Sequence, residues 1–169
     1  KNINELKGIR AAHLRDGVAL TKSIFWIKQK VNKGSLTELQ AVRKIDANRR
    51  NSKYFHSLSF PTIAGSGPNG AIVHYHVTKK SDRKIRDSDL FLIDSGGQYQ
   101  DGTTDVTRTI SFKKVSQEQK KMNTLVLKGH IAVAISKFSK SETGKKLNTY
   151  ARKYLRENKC DFDHGTGHG

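Results

Sequence analysis

Within FLIDSGGQYQDGTTDVTRTI, Phe91 to Ile110, three carboxylates stand among glycines and threonines: Asp94, Asp101 and Asp105. Asp94 follows directly on an apolar run. A carboxylate in that position is costly unless something compensates its charge. Bound cations, an arginine or several N–H donors could do so. Carboxylate oxygens suit hard divalent ions, and an added imidazole suits Mn, Fe, Co or Zn. The tail HGTGHG carries two histidines, His164 and His168. The same residues allow a plainer reading. Asp101-Gly102 is then an acid-rich turn, Asp94 caps backbone N–H groups, and the tail is a polar end.

The acids must be positioned by strands. Asp89 to Tyr99 and Thr104 to Phe112 read as two strands joined around Asp101-Gly102, a hairpin signal. Alternation puts Phe91 and Ile93 on one face, and Leu90, Leu92 and Asp94 on the other. It likewise groups Asp105, Thr107 and Thr109, opposite Val106, Arg108 and Ile110. A two-residue turn at Asp101-Gly102 pairs Gln98 with Asp105. Asp94 then lies about 13 Å away along its own strand, too far to share a metal. A bulge at Gly96-Gly97 could bend the strand and re-aim Asp94.

Around this hairpin the chain reads as helices and connecting loops. Asn2 to Asn32 has no proline and carries an apolar side of Ile9, Ala12, Val18, Ile24, Ile27 and Val31. Gly8 and Gly17 argue against one unbroken run, and Gly34 is a stop. Thr37 with Gln40 forms a capping box for a second helix, with Leu39, Val42 and Ile45, ending near Arg50. Tyr54 to Phe60 is a strand or linker, AGSGPN (64–69) a glycine-rich turn, and AIVHYHV (71–77) a strand. Lys79 to Asp87 is a polar connection. Ser116 with Gln119 opens a third helix through Met122, Leu125, Val126, Ile131 and Ile135. Ser141 with Glu142 starts a fourth, and the glycine-rich residues 165–169 follow. The order long helix, short helix, glycine-rich loop thus occurs twice. The expectation is a two-lobed α+β domain, with residues 1–112 as the first lobe. Residues 113–169 start a second lobe whose strands are missing.

Composition sets limits on function. The 169 residues are enough for a domain with a real core, with 34% apolar residues and two prolines. Lys and Arg number 32 against 15 Asp and Glu, a formal charge of +17. The basic residues are scattered and do not alternate with aromatics as a stacking platform would. They read as a solvated surface rather than a specific nucleic-acid footprint. The single cysteine, Cys160, excludes an internal disulfide and fits a reducing compartment. No apolar run approaches the roughly 20 residues of a membrane span. No signal peptide opens the chain. Lys1 and Gly169 both read as cut ends.

Four stretches carry a family resemblance: AAHLRDGVAL (11–20), SFPTIAGSGPNGAIVHY (59–75), DSGGQYQDGTTDVTRT (94–109) and HGTGHG (164–169). Together they resemble the catalytic, pita-bread domain of aminopeptidase P, the Xaa-Pro aminopeptidases of the creatinase/methionine aminopeptidase superfamily, peptidase family M24. The resemblance covers essentially the whole chain. It is nearer to aminopeptidase P than to methionine aminopeptidase, prolidase or creatinase.

The resemblance implies a dinuclear metal site. Asp94 matches the bidentate ligand of one metal, Asp105 the carboxylate bridging both, and His168 the single histidine ligand. His74 matches a histidine that helps hold substrate and reaction intermediate, and His164 one near the substrate side of the cleft. The implied cofactors are two divalent ions, Mn²⁺ first, with Zn²⁺ or Co²⁺ as alternatives. The implied substrates are peptides with proline in the second position, cleaved before the proline. The expected location is the cytoplasm, and a homo-oligomer is expected of the full-length protein. No specific nucleic acid or membrane partner is expected. The family's two further glutamates, one of them bridging, are not among these residues, so this chain by itself is expected to be inactive. Two other readings stay open: a noncatalytic pita-bread interaction module, and a basic nucleic-acid-binding domain. The glycine loop at 65–69 is no P-loop, since no GK[ST] follows it.

Overall fold

The computed structural model describes residues 1–168. The chain divides into two compact units, Lys1–Lys113 and Lys114–Gly169. The class is α+β. Among the described residues no helix is long and apolar enough to cross a membrane.

The first unit opens with α1, Ile3–Asn32, capped by a box between Asn2 and Glu5. It runs unbroken through Gly8 and Gly17. Gly8 is required by packing: a Cβ there would run into the Asp101 backbone carbonyl. Helix α1 ends where expected, with Gly34 at φ +70° just beyond the Lys33 cap. Its buried stripe is Ala12, Asp16, Ala19, Leu20, Ser23, Ile27 and Val31. Val18, expected inside, is exposed. The stripe steps by three and four residues, and Val18 falls between its rows. Helix α2, Glu38–Arg50, starts with the expected Thr37–Gln40 capping box.

Two three-stranded antiparallel sheets follow. One has the order β2 (Ile63–Ser66), β3 (Leu90–Ser95), β6 (Val106–Ser111), and the other β1 (Phe55–Leu58), β4 (Gly97–Tyr99), β5 (Gly102–Thr103). Burial alternates along β3 as the pattern required, with Phe91, Ile93 and Ser95 inside. The core gathers Leu20, Ile27 and Val31 of α1, Ala41 and Ile45 of α2, and Phe91 and Ile93 of β3.

Two expectations fail here. Residues 64–66 of the supposed glycine turn lie in β2, and all four residues of that strand are buried. Residues 71–77 form no strand. A 3-10 helix spans Gly67–Ala71, with Pro68 in its first turn, and the chain then turns through Ile72 to His74. Tyr75 N–H donates to the Ile72 carbonyl at 3.2 Å to close the turn. The alternating apolar residues suggested a strand. Proline and the side-chain anchors of Asn69 and Tyr75 override that local preference.

The second unit holds α3, Gln117–Ala134, and α4, Gly144–Glu157. Helix α3 has the expected Ser116–Gln119 capping box. Helix α4 begins after Thr143, slightly later than Ser141. The two helices pack closely enough that a Cβ on Gly129 would meet the Ala151 carbonyl. Val126, Leu127, Ile131 and Ile135 of this unit are exposed.

Candidate metal centre

The carboxylates are brought together by register. In the observed hairpin Asp94 pairs with Thr107 and Ser95 with Val106, while beyond the break Gln98 pairs with Thr103 and Tyr99 with Gly102. The tight turn is therefore Gln100-Asp101, not Asp101-Gly102. Gly96-Gly97 on one strand and Thr104-Asp105 on the other fill the break, two residues against two. By this count Asp105 lies opposite Gly96 and diagonal to Asp94. Diagonal neighbours on adjacent strands are about 7–8 Å apart. This corrects the 13 Å expected from a turn at Asp101-Gly102. The strand breaks at Gly96 without an added residue, and glycine is required there since the Thr104 carbonyl occupies the space a Cβ would need.

Asp94 sits half-buried at the end of β3, and Thr107 Oγ1 donates to its Oδ1 at 2.8 Å. Burial pushes its carboxyl above the usual range, the Thr107 hydrogen bond opposes this, and the nearby Asp105 charge raises it further. His74 acts on Asp94 in the opposite direction. Asp105 and His74 therefore each lie within electrostatic reach of Asp94. Two acids that repel across a hairpin are a donor set that a hard cation would relieve. Arg108 does not relieve them: it stands beside Ile93 in the ladder, and its guanidinium donates to the Thr107 carbonyl.

His74 carries a left-handed backbone, φ 53°. Its side chain is exposed. Tyr75, next in sequence, is buried and donates to Glu38 Oε2 at 2.8 Å.

His164 and His168 belong to the second unit. His164 stacks on Phe162 with ring centroids 4.6 Å apart. Arg152 of α4 gathers this segment. Its guanidinium donates to Asp161 Oδ1 at 2.7 Å and to the Phe162 and His164 carbonyls at 2.6 Å, and lies over the Phe162 ring. The Arg156 guanidinium, the Phe162 N–H and then Arg152 pull the Asp161 carboxyl down to about 2. Thr166 is tied to Asn148 of α4. His168 is exposed, and Gly169, the last residue of the motif, lies outside the described residues. Among the described residues no three His, Cys, Asp or Glu side chains are gathered as a metal-ion cluster.

Sequence reasoning missed Asp16, Arg49 and Tyr99. Arg49 Nε and Nη2 donate to Asp16 Oδ1 and Oδ2 at 2.6 and 2.9 Å, and Tyr99 OH donates to Oδ1 at 2.7 Å. Both ion-pair side chains are fully buried. This cluster ties α1 and α2 to β4. It reaches Thr104, the residue before Asp105, whose hydroxyl accepts from Gly97 N–H at 2.9 Å and also supports the Asp16 charge. Nearby, Arg15 pairs with Asp101 in the turn and lies over the Tyr54 and Tyr99 rings. The missed signal was an acid at the stripe position between Ala12 and Leu20.

Comparison with known proteins agrees with this architecture. The model for metallopeptidase family M24 matches residues 7–169. A probable Xaa-Pro aminopeptidase P of Paracoccidioides brasiliensis is 47% identical over the whole chain, and one of Laccaria bicolor is 44% identical. The chain spans only 28% and 26% of the length of those two relatives. The crystal structure of X-prolyl aminopeptidase from Caenorhabditis elegans, described as a cytosolic enzyme with a di-nuclear active site, superposes with a TM-score of 0.94 at 42% identity. It is covered to 28% of its length, and this chain entirely. An X-Pro aminopeptidase from Thermotoga maritima gives 0.79 at 26% identity, covering 94% of this chain and 42% of that one. The fold is thus related to the pita-bread superfamily, and the chain belongs to metallopeptidase family M24.

Proposed function

We propose that this chain is a ligand-bearing part of the catalytic domain of a dinuclear Xaa-Pro aminopeptidase, which releases an N-terminal residue preceding proline. The observation that carries the reading is the hairpin register, with Asp94 and Asp105 diagonal across the break at Gly96. On this reading residues 1–112 are the first lobe and residues 113–169, with α3 and α4, start the second.

Asp94 and Asp105 would hold the metals by oxygen, Asp105 as the bridge, and His168 would add one imidazole. When bound, a pair of divalent ions, Mn²⁺ first and Zn²⁺ or Co²⁺ next, supplies Lewis acidity toward a peptide carbonyl and lowers the pKa of water. The protein's own part is positioning. Thr107 fixes the Asp94 carboxylate through its hydroxyl. His74 donates a hydrogen bond to the oxygen on which charge develops as the peptide bond is attacked. By the family resemblance His164 would face the substrate. The cytosolic setting of the nematode relative supports a cytoplasmic location.

The ligands proposed within this chain are three. The 169 residues alone should therefore bind Mn²⁺ weakly and turn over Xaa-Pro peptides negligibly. A chain of the relatives' length should cleave a peptide with proline second and spare its alanine-second counterpart. Equal cleavage of both peptides would refute the specificity. Metal-dependent turnover by the purified 169-residue chain would refute the fragment reading.

A further inference from the structure

The motif containing His74 is organised around an acid that has no assigned part in catalysis. Glu38 is the first residue of α2 and is fully buried. Its Oε1 accepts from Ser66 N–H at 2.6 Å and from Asn69 Nδ2 at 3.1 Å. Its Oε2 accepts from Tyr75 OH at 2.8 Å, Asn69 Nδ2 at 3.0 Å and Arg83 N–H at 3.3 Å. Every one of these donors is neutral. The α2 N-terminus adds favourable partial charge. A buried carboxylate is tolerable when its lone pairs are filled in this way.

These donors frame one segment. Asn69 and Tyr75 stand at either end of the turn that holds His74. Ile72 N–H donates to the Asn69 carbonyl, and Tyr75 N–H to the Ile72 carbonyl. Asn69 Nδ2 also donates to Tyr75 OH at 2.9 Å, closing a ring through the carboxylate. Ser66 fixes the end of β2, from which the segment departs. His74 is left-handed, a conformation uncommon among non-glycine residues though less so for histidine. Glu38 is what both ends of its turn share.

We propose that Glu38 is a positioning residue that sets His74 through Asn69 and Tyr75. The inference rests on the proposed part of His74 in holding substrate and the developing oxyanion. Glutamine is a poor replacement for Glu38, because its amide NH₂ would face the N–H donors of Ser66, Asn69 or Arg83, with the Tyr75 phenol oxygen as the one acceptor among these partners. Tyr75→Phe is milder. It removes the phenol that links the turn to Oε2 and leaves the carboxylate its other donors.

The test is a double-mutant cycle in a protein of the relatives' full length, with metal content and thermal melting measured on each variant. Tyr75→Phe should lower kcat/KM for an Xaa-Pro peptide about 10- to 100-fold, the scale of a small misplacement of a reacting group. Metal content should stay unchanged. In a His74→Ala background the same change should cost less than about twofold, because the residue being positioned is gone. Glu38→Gln should show the same dependence on His74 wherever it folds. Equal losses in both backgrounds would mean that Tyr75 acts only on the fold, and would overturn the proposal. Full activity in Tyr75→Phe with an impaired His74→Ala would overturn it alone. Full activity in His74→Ala would overturn both the reading of His74 and this inference.

Discussion

Replacing Asp16 by asparagine should be among the most damaging single changes in the first unit. The side chains of Asp16 and Arg49 are both fully buried. Asparagine removes the charge that Arg49 needs and turns one acceptor into a donor facing a guanidinium. Breaking a buried pair by removing one partner costs about 3–5 kcal/mol. A domain of this size has only about 5–15 kcal/mol in total. Tyr99→Phe removes one hydrogen bond to the same carboxylate and should cost about 1.5–3 kcal/mol. Asp16→Leu combined with Arg49→Met should cost less than Asp16→Asn alone, since no charge is then stranded. The pH dependence has a definite sign. Burial raises the Asp16 pKa, but the hydrogen bonds and charge of Arg49, with help from Tyr99, more than reverse this, so the folded value is lowered. Its stabilisation is complete above the unfolded value of about 3.9 and is lost as pH falls through the folded value. The gap between wild type and Asp16→Asn should therefore be widest near neutrality and narrow below about pH 4. Urea unfolding followed by the single tryptophan, Trp26 of α1, would read it. A difference under about 0.5 kcal/mol, the level of an ordinary surface change, or one independent of pH, would refute the reasoning.

Three further outcomes test the packing and the tail. Gly8→Ala should destabilise by more than the roughly 1 kcal/mol that alanine normally gains inside a helix, because its Cβ meets the Asp101 carbonyl; a rise in melting temperature would count against this packing. Asp101→Asn should lose the half-buried pair with Arg15 and cost about 1 kcal/mol or less, while a full-length protein keeps its metals; metal content tests whether Asp101 is only a turn residue. Arg152→Ala should release the segment from Asp161 to His164, seen as faster amide exchange there with the middle of α3 unaffected; unchanged exchange would show that other contacts hold it.

What could be read from the sequence was local. The boxes at Thr37–Gln40 and Ser116–Gln119, the stop at Gly34 and the alternation along β3 depend on neighbours within a few residues, and the structure has them. The hairpin register did not follow. Asp-Gly is a strong turn signal on its own, but α1 lies against the Asp101 carbonyl at Gly8 and Arg15 holds the Asp101 carboxylate. The turn accordingly forms one residue earlier. The 71–77 stretch failed for the same kind of reason, since Glu38, more than 30 positions upstream, fixes Asn69 and Tyr75. Asp16 looked like one polar residue of a long helix because Arg49 and Tyr99 are distant in sequence. The acids of the candidate site were identified by type and motif. Their proximity is a tertiary property of the break at Gly96.

The proposed bridging of two metals by Asp105 is tested most directly by Asp105→Asn in a full-length protein. Asparagine keeps the shape and can still accept hydrogen bonds, but it withdraws the negative charge shared by the two ions. Metal per chain, measured after dialysis against limiting Mn²⁺, should fall from two to one or fewer. Xaa-Pro turnover should drop by orders of magnitude while the melting transition remains cooperative. Two retained metals with near-normal turnover would contradict the account.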